Sequence, residues 1–173
     1  MNVIIAHKKM IKLKAAKTKA EWSKINALSH EIWHEYYPAI VTTEQIEYML
    51  EKYHSIEALQ KQSGEGQQFF LIENEDETIG YCSISEKDKA VFLHKFYILK
   101  SKRGKGIGTE VFRQILEFVK ENKKISLQVN RKNFKSINFY FKQSFTIEYV
   151  KDFEIGNGYL MEDFIMTKTL NYL

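Results

Sequence analysis

The sequence predicts an α/β (α+β) fold in which a mixed, mostly antiparallel central sheet of six to seven strands has helices on both faces. Three observations lead to this class. Apolar residues recur at helical spacing in several segments, and other segments alternate as strands do. Short polar or glycine-containing turns join successive strand-like segments, which makes them antiparallel hairpins. One strand passes through a glycine-rich corner into a helix and then a further strand, as in a right-handed parallel crossover.

The N-terminal part of the chain predicts one strand followed by a long helix. Residues 10–16 alternate loosely and should form the first strand. Thr18 and Glu21 have the spacing of a capping box, so a helix should begin at Thr18. Its apolar residues keep helical spacing to about Tyr36, and Pro38, the one proline in the chain, then interrupts it.

Two shorter helices and the sheet should follow. Thr42 or Thr43 should cap a second helix, and Ser55 should open a third. Residues 156–158, Gly-Asn-Gly, should connect the last two strands as a closing hairpin. A further short helix is expected at residues 136–142. The predicted strands of this region are residues 69–72, 79–84, 91–99, 125–129, 145–153 and 159–169.

Length and composition fit one globular domain. We expect all 173 residues to form a single domain, with residues 1–9 as a short leader that is too weakly apolar for a signal peptide. The chain is 44% hydrophobic and 28% charged, and no apolar run approaches the ~20 residues of a membrane span. The single cysteine, Cys82, excludes an internal disulfide and should be a small buried strand residue. We therefore expect a cytoplasmic protein without membrane contact.

The charge pattern argues against nucleic acid as a partner. The net charge is only +4, and Lys and Arg alternate with Glu along most of the chain instead of forming one basic stripe. The densest basic spot, residues 100–105, coincides with the glycine-rich corner. We interpret it as part of a small-ligand site.

That corner, residues 102–109 (Lys-Arg-Gly-Lys-Gly-Ile-Gly-Thr), is the most informative segment of the chain. Glycines between a strand and a helix leave backbone N–H groups bare, and the helix start adds positive potential, which together hold phosphate oxygens. The P-loop and dinucleotide patterns do not fit, because the Lys-Ser/Thr pair and the glycine spacing are both missing. We expect a pyrophosphate of another kind. The helix after the corner, residues 107–121, should bury Ile107, Val111, Ile115, Phe118 and Val119.

Three motifs carry a resemblance to a known family. Residues 103–108 resemble the Arg/Gln-x-x-Gly-x-Gly/Ala pyrophosphate loop of the GCN5-related N-acetyltransferases (GNAT), which bind acetyl-coenzyme A. Residues 93–98 are similar to the strand ahead of that loop. Residues 133–140, with Phe145 after them, resemble the family's Asn-x-x-Ala-x-x-x-Tyr-x-x-x-Gly-Phe element. Ser144 replaces its glycine, which should either strain a left-handed turn there or shift the turn. Outside this stretch only the order of elements matches.

The resemblance implies an acetyl-coenzyme A-dependent N-acetyltransferase. Its co-substrate would be acetyl-CoA, and an amine acceptor would attack the thioester directly in a ternary complex. The strands on either side of the crossover helix would splay apart to hold the thioester arm. Backbone groups near Phe96 and Ile98 would bind the acetyl carbonyl and the pantetheine amides, and Asn133 would contact the pantetheine arm or simply cap its helix. The residues expected at the pyrophosphate are Arg103, Gly104, Lys105, Gly106, Ile107, Gly108 and Thr109.

Two residues are predicted to carry the proton transfers. Tyr140 matches the motif tyrosine and would protonate the coenzyme thiolate, although it also fits a core aromatic or a group that only orients the thiol. His94 would be the general base on the acceptor side, and the alternative is a histidine satisfied within the sheet. Polyamine-acetylating relatives carry Glu and then Asp at this place, so His94-Lys95 lacks the acidic character that would hold a polycation.

The acceptor stays open at this level. Residues 33–37 (Trp-His-Glu-Tyr-Tyr) lie where the family places the acceptor cleft, and they fit either an amine pocket or ordinary core and rim aromatics. The other histidines have no metal-ligand spacing, so no metal is expected. A polyamine, an amino-sugar antibiotic, an amino acid and a protein amine all remain as acceptors. A non-catalytic acyl-CoA-binding module is the alternative function, and the closing hairpin would permit a homodimer.

Overall fold

In the computed structural model, residues 11–104 and 106–170 are described, and their strands form one seven-stranded sheet in the order β1-β2-β3-β4-β5-β7-β6. Of the neighbouring pairs, β4 and β5 run parallel and the others antiparallel, which confirms the predicted mixed sheet. The strands are β1 (Ile11–Ala15), β2 (Gln68–Asn74), β3 (Glu77–Lys87), β4 (Ala90–Ile98), β5 (Lys124–Asn130), β6 (Thr146–Gly156) and β7 (Tyr159–Thr169). The predicted leader and Met10 lie outside the described residues.

Helices cover both faces of this sheet, as predicted. One core cluster joins the sheet to the crossover helix and the helix after it, and a second joins the opposite face to the N-terminal helices. A third cluster packs the end of the first helix against the second helix and the closing hairpin. The helices are α1 (Lys19–Tyr36), α2 (Thr43–His54), α3 (Ile56–Gly64), α4 (Ile107–Phe118) and α5 (Phe134–Lys142), with 3₁₀ turns at Tyr37–Ala39 and Lys100–Lys102.

The helix starts follow the local signals in the sequence. Thr18 and Glu21 form the capping box at α1, with each side chain bonded to the other residue's backbone N–H. Thr42, and not Thr43, caps α2 through the backbone N–H of Gln45. Ser55 caps α3 in the same way.

Helix α4 is shorter than predicted. It ends at Phe118, and Val119 caps it instead of continuing the helix. Ile107, Val111 and Ile115 are buried as expected, but Phe118 is 52% exposed. Its ring lies at the edge of the apolar stripe, where it meets the rim of the sheet through an edge contact with Phe70.

A bulge opens the sheet in its centre. Parallel pairing of β4 with β5 covers only Ala90 to Leu93, opposite Lys124 to Leu127. On the other side of β4, the register with β3 shifts so that His94 has no partner in β3. An extra residue bends a strand and increases its twist. The remainder of β4 therefore diverges from β5 and leaves a cleft between them.

Ser144 has the strained backbone that its sequence position suggests. Its φ is +65°, in the left-handed region, directly after α5. We expect Ser144→Gly to raise the free energy of unfolding by about 0.5–1 kcal/mol, because glycine adopts this conformation without a Cβ clash. Urea denaturation would measure the gain. Ser144→Ala is the control, since it keeps the Cβ and should not stabilise; equal stability of both variants would contradict the strain.

Candidate active site

The cleft between β4 and β5 has a volume of about 770 Å³ and is bordered by α1, α2, α4, α5 and the closing hairpin. It brings together almost every residue that the sequence singled out. Lys105 is the exception, because it lies outside the described residues. The predicted residues that line the cleft are His94, Phe96, Ile98, Arg103, Gly104, Gly106, Ile107, Gly108, Thr109, Asn133 and Tyr140.

The glycine corner forms one end of the cleft. Gly104 and Gly106 have φ values of +88° and +76°, which residues with a Cβ rarely adopt. Gly106 is also the N-cap of α4, and no side chain caps that helix end. A Cβ added to either glycine would meet no atom within 4 Å, so the space beside the corner is open. Backbone N–H groups and the positive end of the helix dipole can thus reach an anion there.

The remaining corner residues hold this backbone in place. Ile107 is buried in the core. A Cβ on Gly108 would lie 3.3 Å from a ring carbon of Phe139, so the absence of a side chain lets α4 and α5 approach closely. Thr109 accepts a hydrogen bond from the side chain of Gln143 through its hydroxyl. The side chains of Ile107 and Thr109 and the close packing at Gly108 position the corner, and the backbone remains for a ligand.

The free edge of β4 supplies hydrogen-bonding groups along the cleft. The N–H of Leu99 donates to the carbonyl of Ile79 in β3. Because the bonds of an antiparallel ladder alternate, Phe96 and Ile98 direct their N–H and C=O groups away from β3. Beyond Leu93 that direction faces the cleft instead of β5. An extended, amide-bearing ligand can pair with this edge.

A bridge of side chains crosses the same region. Arg103 donates from Nε to the carbonyl of Ile98 at 2.8 Å, and its guanidinium lies 4.7 Å from the ring centroid of Tyr36. The Tyr36 hydroxyl donates to Oδ1 of Asn133 at 2.7 Å. The same oxygen accepts the N–H of Ser136, so Asn133 is the N-cap of α5 as predicted. Arg103 is thus not a freely solvated basic residue.

Tyr140 is both a core aromatic residue and a residue of the cleft, so its position fits both roles considered from the sequence. Its ring packs between Phe139 and Phe145 at centroid distances of 5.5 and 5.6 Å. The residue lines the cleft, and its hydroxyl has no hydrogen-bond partner among the described residues. Burial, with a smaller contribution from Tyr37, raises the pKa of the phenol well above its ordinary value. At neutral pH the hydroxyl is therefore a proton donor.

His94 lines the cleft and is half-buried. Its Nε2 lies 2.8 Å from the hydroxyl of Ser85, and its ring packs against Phe92. Burial, followed by the charge of Lys95, lowers the pKa of the imidazole to about 4. The ring is neutral near pH 7, and its partner Ser85 also fits a histidine satisfied within the sheet.

Some side chains of residues 33–37, at the end of α1, line the cleft, and others lie on the surface. Trp33 stacks on Tyr37 at 4.0 Å, and both line the cleft together with Tyr97. His34 and Glu35 lie on the surface, where His34 contacts the carboxylate of Glu47 and Glu35 pairs with Lys100. The segment therefore contributes both cleft walls and surface residues.

Residues 25–145 of the sequence match the model of the Acetyltransferase (GNAT) family, and they make up more than half of the chain. The chain belongs to the GNAT acetyltransferase family. This agrees with the resemblance of the three motifs around the cleft. Among curated proteins, no sequence matches the GNAT chain.

Solved structures share the fold of this GNAT chain. PaiA N-acetyltransferase from Thermoplasma acidophilum, in complex with coenzyme A, has a TM-score of 0.75 at 22% identity and covers 92% of this chain and 99% of its own. Spermidine N-acetyltransferase from Vibrio cholerae, in complex with CoA and spermine, has a TM-score of 0.68 at 19% identity, with 92% and 95% covered. The ribosomal-protein-S18-alanine N-acetyltransferase from Escherichia coli gives 0.70 at 11% identity, with 95% and 96% covered. At these identities the likeness shows the fold.

Sequence reasoning missed a buried carboxylate in the GNAT cleft. Asp163, on β7, is only 1% exposed, and its Oδ1 has no hydrogen-bond partner in the described part of the chain. Burial raises its pKa to about 7, although the charge of Arg131 opposes the shift. The alternation of residues along β7 could have indicated this burial, because Asp163 lies on the same face of the strand as Met161 and Ile165. A charged residue on an inward face is unusual.

Lys95 is a second buried charged residue. In the sequence it was notable only because relatives that acetylate polyamines carry an acidic residue at this position. It is 8% exposed and donates from Nζ to Oε1 of Gln62 at 2.6 Å. Its Nζ also lies 5.5 Å from the ring centroid of Phe69. No carboxylate of the described residues forms an ion pair with it, and burial lowers its pKa to about 8.

Other predicted features of the chain concern metal, membrane and thiol chemistry. Within residues 11–104 and 106–170, no group of three or more His, Cys, Asp or Glu side chains could hold a metal ion. No helix in those ranges has the length and apolar character needed to cross a bilayer. Cys82 is fully buried, as predicted, and burial raises its pKa to about 12, which keeps the thiol protonated.

Proposed function

We propose that this GNAT chain is an acetyl-CoA-dependent N-acetyltransferase that moves an acetyl group to a primary amine of a small molecule or of a protein or peptide. The amine attacks the thioester directly in a ternary complex. The observation that carries the proposal is the open glycine corner at the uncapped start of α4, beside the free edge of β4. The coenzyme A reported for two structural neighbours supports the same ligand here.

The coenzyme would lie along the cleft from the corner to Tyr140. Its pyrophosphate would take N–H groups at the start of α4, with Arg103 and Lys105 adding positive charge. Its pantetheine amides would pair with the cleft-facing backbone of Phe96 and with the N–H of Ile98, whose carbonyl already accepts from Arg103, much as an additional strand would. Asn133, at the start of α5, would offer its side-chain amide to the same arm.

Transfer requires a neutral amine, a donor for the developing oxyanion and a proton for the thiolate. Tyr140 would supply that last proton, because it lines the cleft and its hydroxyl stays protonated at neutral pH. Backbone N–H groups on the free edge of β4 would polarise the acetyl carbonyl.

Two groups compete for the role of base. His94, expected from the sequence, has a nitrogen engaged with Ser85 and a pKa of about 4, so it would be a weak base. Asp163 has an unpaired oxygen in the cleft and a pKa of about 7, near the value that favours proton transfer at neutral pH. These observations favour Asp163.

The pH profile of acetyl transfer distinguishes the two bases. With Asp163 as the base, kcat/KM should rise as its carboxyl ionises through about pH 7. Asp163→Asn should remove this limb and lower kcat/KM by about tenfold or more at pH 7, and His94→Ala should keep it. Thiol release with an acceptor panel gives the rates. If the pH-dependent rise in kcat/KM persists in Asp163→Asn and disappears in His94→Ala, the base is His94.

Thermal unfolding of the same variant shows whether the fold is intact. The folded state holds the Asp163 proton more tightly than the unfolded chain, so this carboxyl favours folding at low pH and loses that contribution as the pH rises through about 7. Asp163→Asn should therefore gain melting temperature relative to wild type more at pH 8.5 than at pH 5. Loss of melting temperature at both pH values would make its kinetics uninformative about a base and would contradict the ionisation assigned here.

A non-catalytic acyl-CoA-binding module is the second candidate. Tyr140 in the cleft lining and the carboxylate of Asp163, with its unpaired oxygen, favour the enzyme, because coenzyme binding alone needs neither. Coenzyme binding without thiol release for any amine would favour the module. A cytoplasmic location and a homodimer through β6, which exposes Ile147, Tyr149 and Val150, stay predictions.

A further inference from the structure

The acceptor side of the cleft holds a buried cation without a counter-charge. Lys95 is less than one-tenth exposed, and its one hydrogen bond to a side chain goes to the neutral amide oxygen of Gln62. His54 and His94 face it, but burial first and the Lys95 charge second lower the pKa of both. Burying an ammonium group costs several kcal/mol unless an anion accompanies it. Nothing in the described residues supplies that anion.

A buried anion lies farther along the same cleft. Asp163 has an oxygen without a hydrogen-bond partner. It lies near Tyr37 and Tyr97, since its charge is among the smaller causes, after burial, that raise the pKa of both phenols. Tyr97 lies two residues after Lys95 in β4, on the same face of the strand, and these two residues and Asp163 all line the cleft. Each is therefore available to a group of opposite charge on one ligand.

We propose that the acceptor is a small zwitterion, an amine that also carries a carboxylate, with its carboxylate on Lys95 and its amino group directed toward Asp163. This inference rests on the proposed acetyl transfer. The cleft that holds both charges also has aromatic and apolar lining, which includes Trp33, Tyr37 and Met49. An amino acid with an apolar side chain fits this lining. A polyamine does not, because a second ammonium group would meet Lys95.

The reaction balances with these groups. The acceptor's ammonium gives one proton to the Asp163 carboxylate, and the neutral nitrogen forms a bond to the acetyl carbon. The carbon–sulfur bond then breaks and the thiolate takes the Tyr140 proton. The new amide nitrogen gives its second proton to the Tyr140 phenolate, and Asp163 releases the first proton to water, so both residues return to their starting states. The sum is R–NH₃⁺ + acetyl-S-CoA → R–NH–acetyl + HS-CoA + H⁺.

Matched acceptor pairs test the carboxylate directly. Thiol release from acetyl-CoA is measured with phenylalanine and 2-phenylethylamine, with methionine and 3-methylthiopropylamine, and with lysine and cadaverine. Each amino acid should have a kcat/KM roughly 10- to 100-fold above that of its decarboxylated partner, the range of a charge-assisted hydrogen bond. O-phosphoethanolamine, ethanolamine and spermidine complete the panel. A preference for spermidine, for the decarboxylated amines or for the phosphate alone would overturn the proposal.

Lys95→Met assigns the preference to this side chain. It should raise KM for the amino acids roughly 10- to 100-fold, leave kcat within about twofold and leave the decarboxylated amines unchanged. Removing an uncompensated buried charge should also raise the melting temperature, whereas a structural Lys95 would lower it. Lys151→Met is the control, because Lys151 likewise lies over a phenylalanine ring but is exposed on β6. An unchanged amino-acid preference in Lys95→Met would overturn the assignment.

Product binding separates this inference from the proposed function. Calorimetry with N-acetylphenylalanine and N-acetyl-2-phenylethylamine, in the presence of coenzyme A, needs no turnover. Absence of thiol release with every amine would reject the transferase, while Lys95-dependent binding of N-acetylphenylalanine would still support the anion site. Equal binding of the two compounds would overturn the anion site whether or not the protein turns over.

Discussion

Gly106→Glu should abolish the rise in melting temperature that acetyl-CoA gives the wild-type protein. A ligand at 100 times its dissociation constant stabilises the native state by about 2.7 kcal/mol, which corresponds to several degrees for a domain of this size. A Cβ on Gly106 points into open space at the uncapped start of α4. The new carboxylate would occupy the proposed pyrophosphate position and repel the phosphates. Thermal denaturation with and without acetyl-CoA gives the shift.

Gly158→Glu is the matched control for backbone strain. Gly158 has the same φ of +76°, and a Cβ there also meets no atom within 4 Å. It lies in the turn between β6 and β7 and does not line the cleft. Both variants should lose similar stability without ligand, but only Gly158→Glu should keep the coenzyme shift. A retained shift in Gly106→Glu would remove the main support for the proposed function.

Tyr140→Phe should lower kcat by about 10²-fold and leave the affinity for acetyl-CoA nearly unchanged, because general acid catalysis contributes at least this much. The substitution keeps the ring between Phe139 and Phe145 and removes only the hydroxyl, which has no partner among the described residues. Steady-state thiol release gives kcat, and calorimetry gives the affinity. Tyr149→Phe, on the exposed face of β6, should match wild type.

A better leaving group separates proton donation from mere orientation of the thiol. An acetyl thioester whose thiol has a lower pKa needs less protonation as it departs. Tyr140→Phe should therefore recover much of its lost rate with such a donor. An equal deficit with both donors would mean that Tyr140 orients the thiol and does not protonate it.

Short-range signals carried most of the fold prediction. The capping box at Thr18, the cap at Ser55 and the left-handed residues of the glycine corner each depend on neighbours within a few positions. Such interactions are encoded locally, so a single sequence reveals them. The three motifs also predicted residues that the fold brings together around one cleft.

Long-range burial could be predicted only in part: alternation indicates an inward face for Asp163, but not which elements enclose it. Asp163 and Lys95 are buried because β7, β4 and α3, which are distant in the sequence, enclose one cleft. Nothing local to Lys95 indicates that Gln62 accepts its hydrogen bond. The bulge at His94 likewise depends on the register between β3 and β4, which alternation alone does not determine.

The central strands share four residue pairs, fewer than any other neighbouring strands of the described sheet. Beyond these four pairs, β4 and β5 do not form the hydrogen bonds that continued pairing would give. A guest that supplies amides in the right register would complete the interrupted ladder and join the two halves. The least paired part of the sheet is therefore where a bound ligand would add the most hydrogen bonds. Binding of the ligand should make the sheet more rigid.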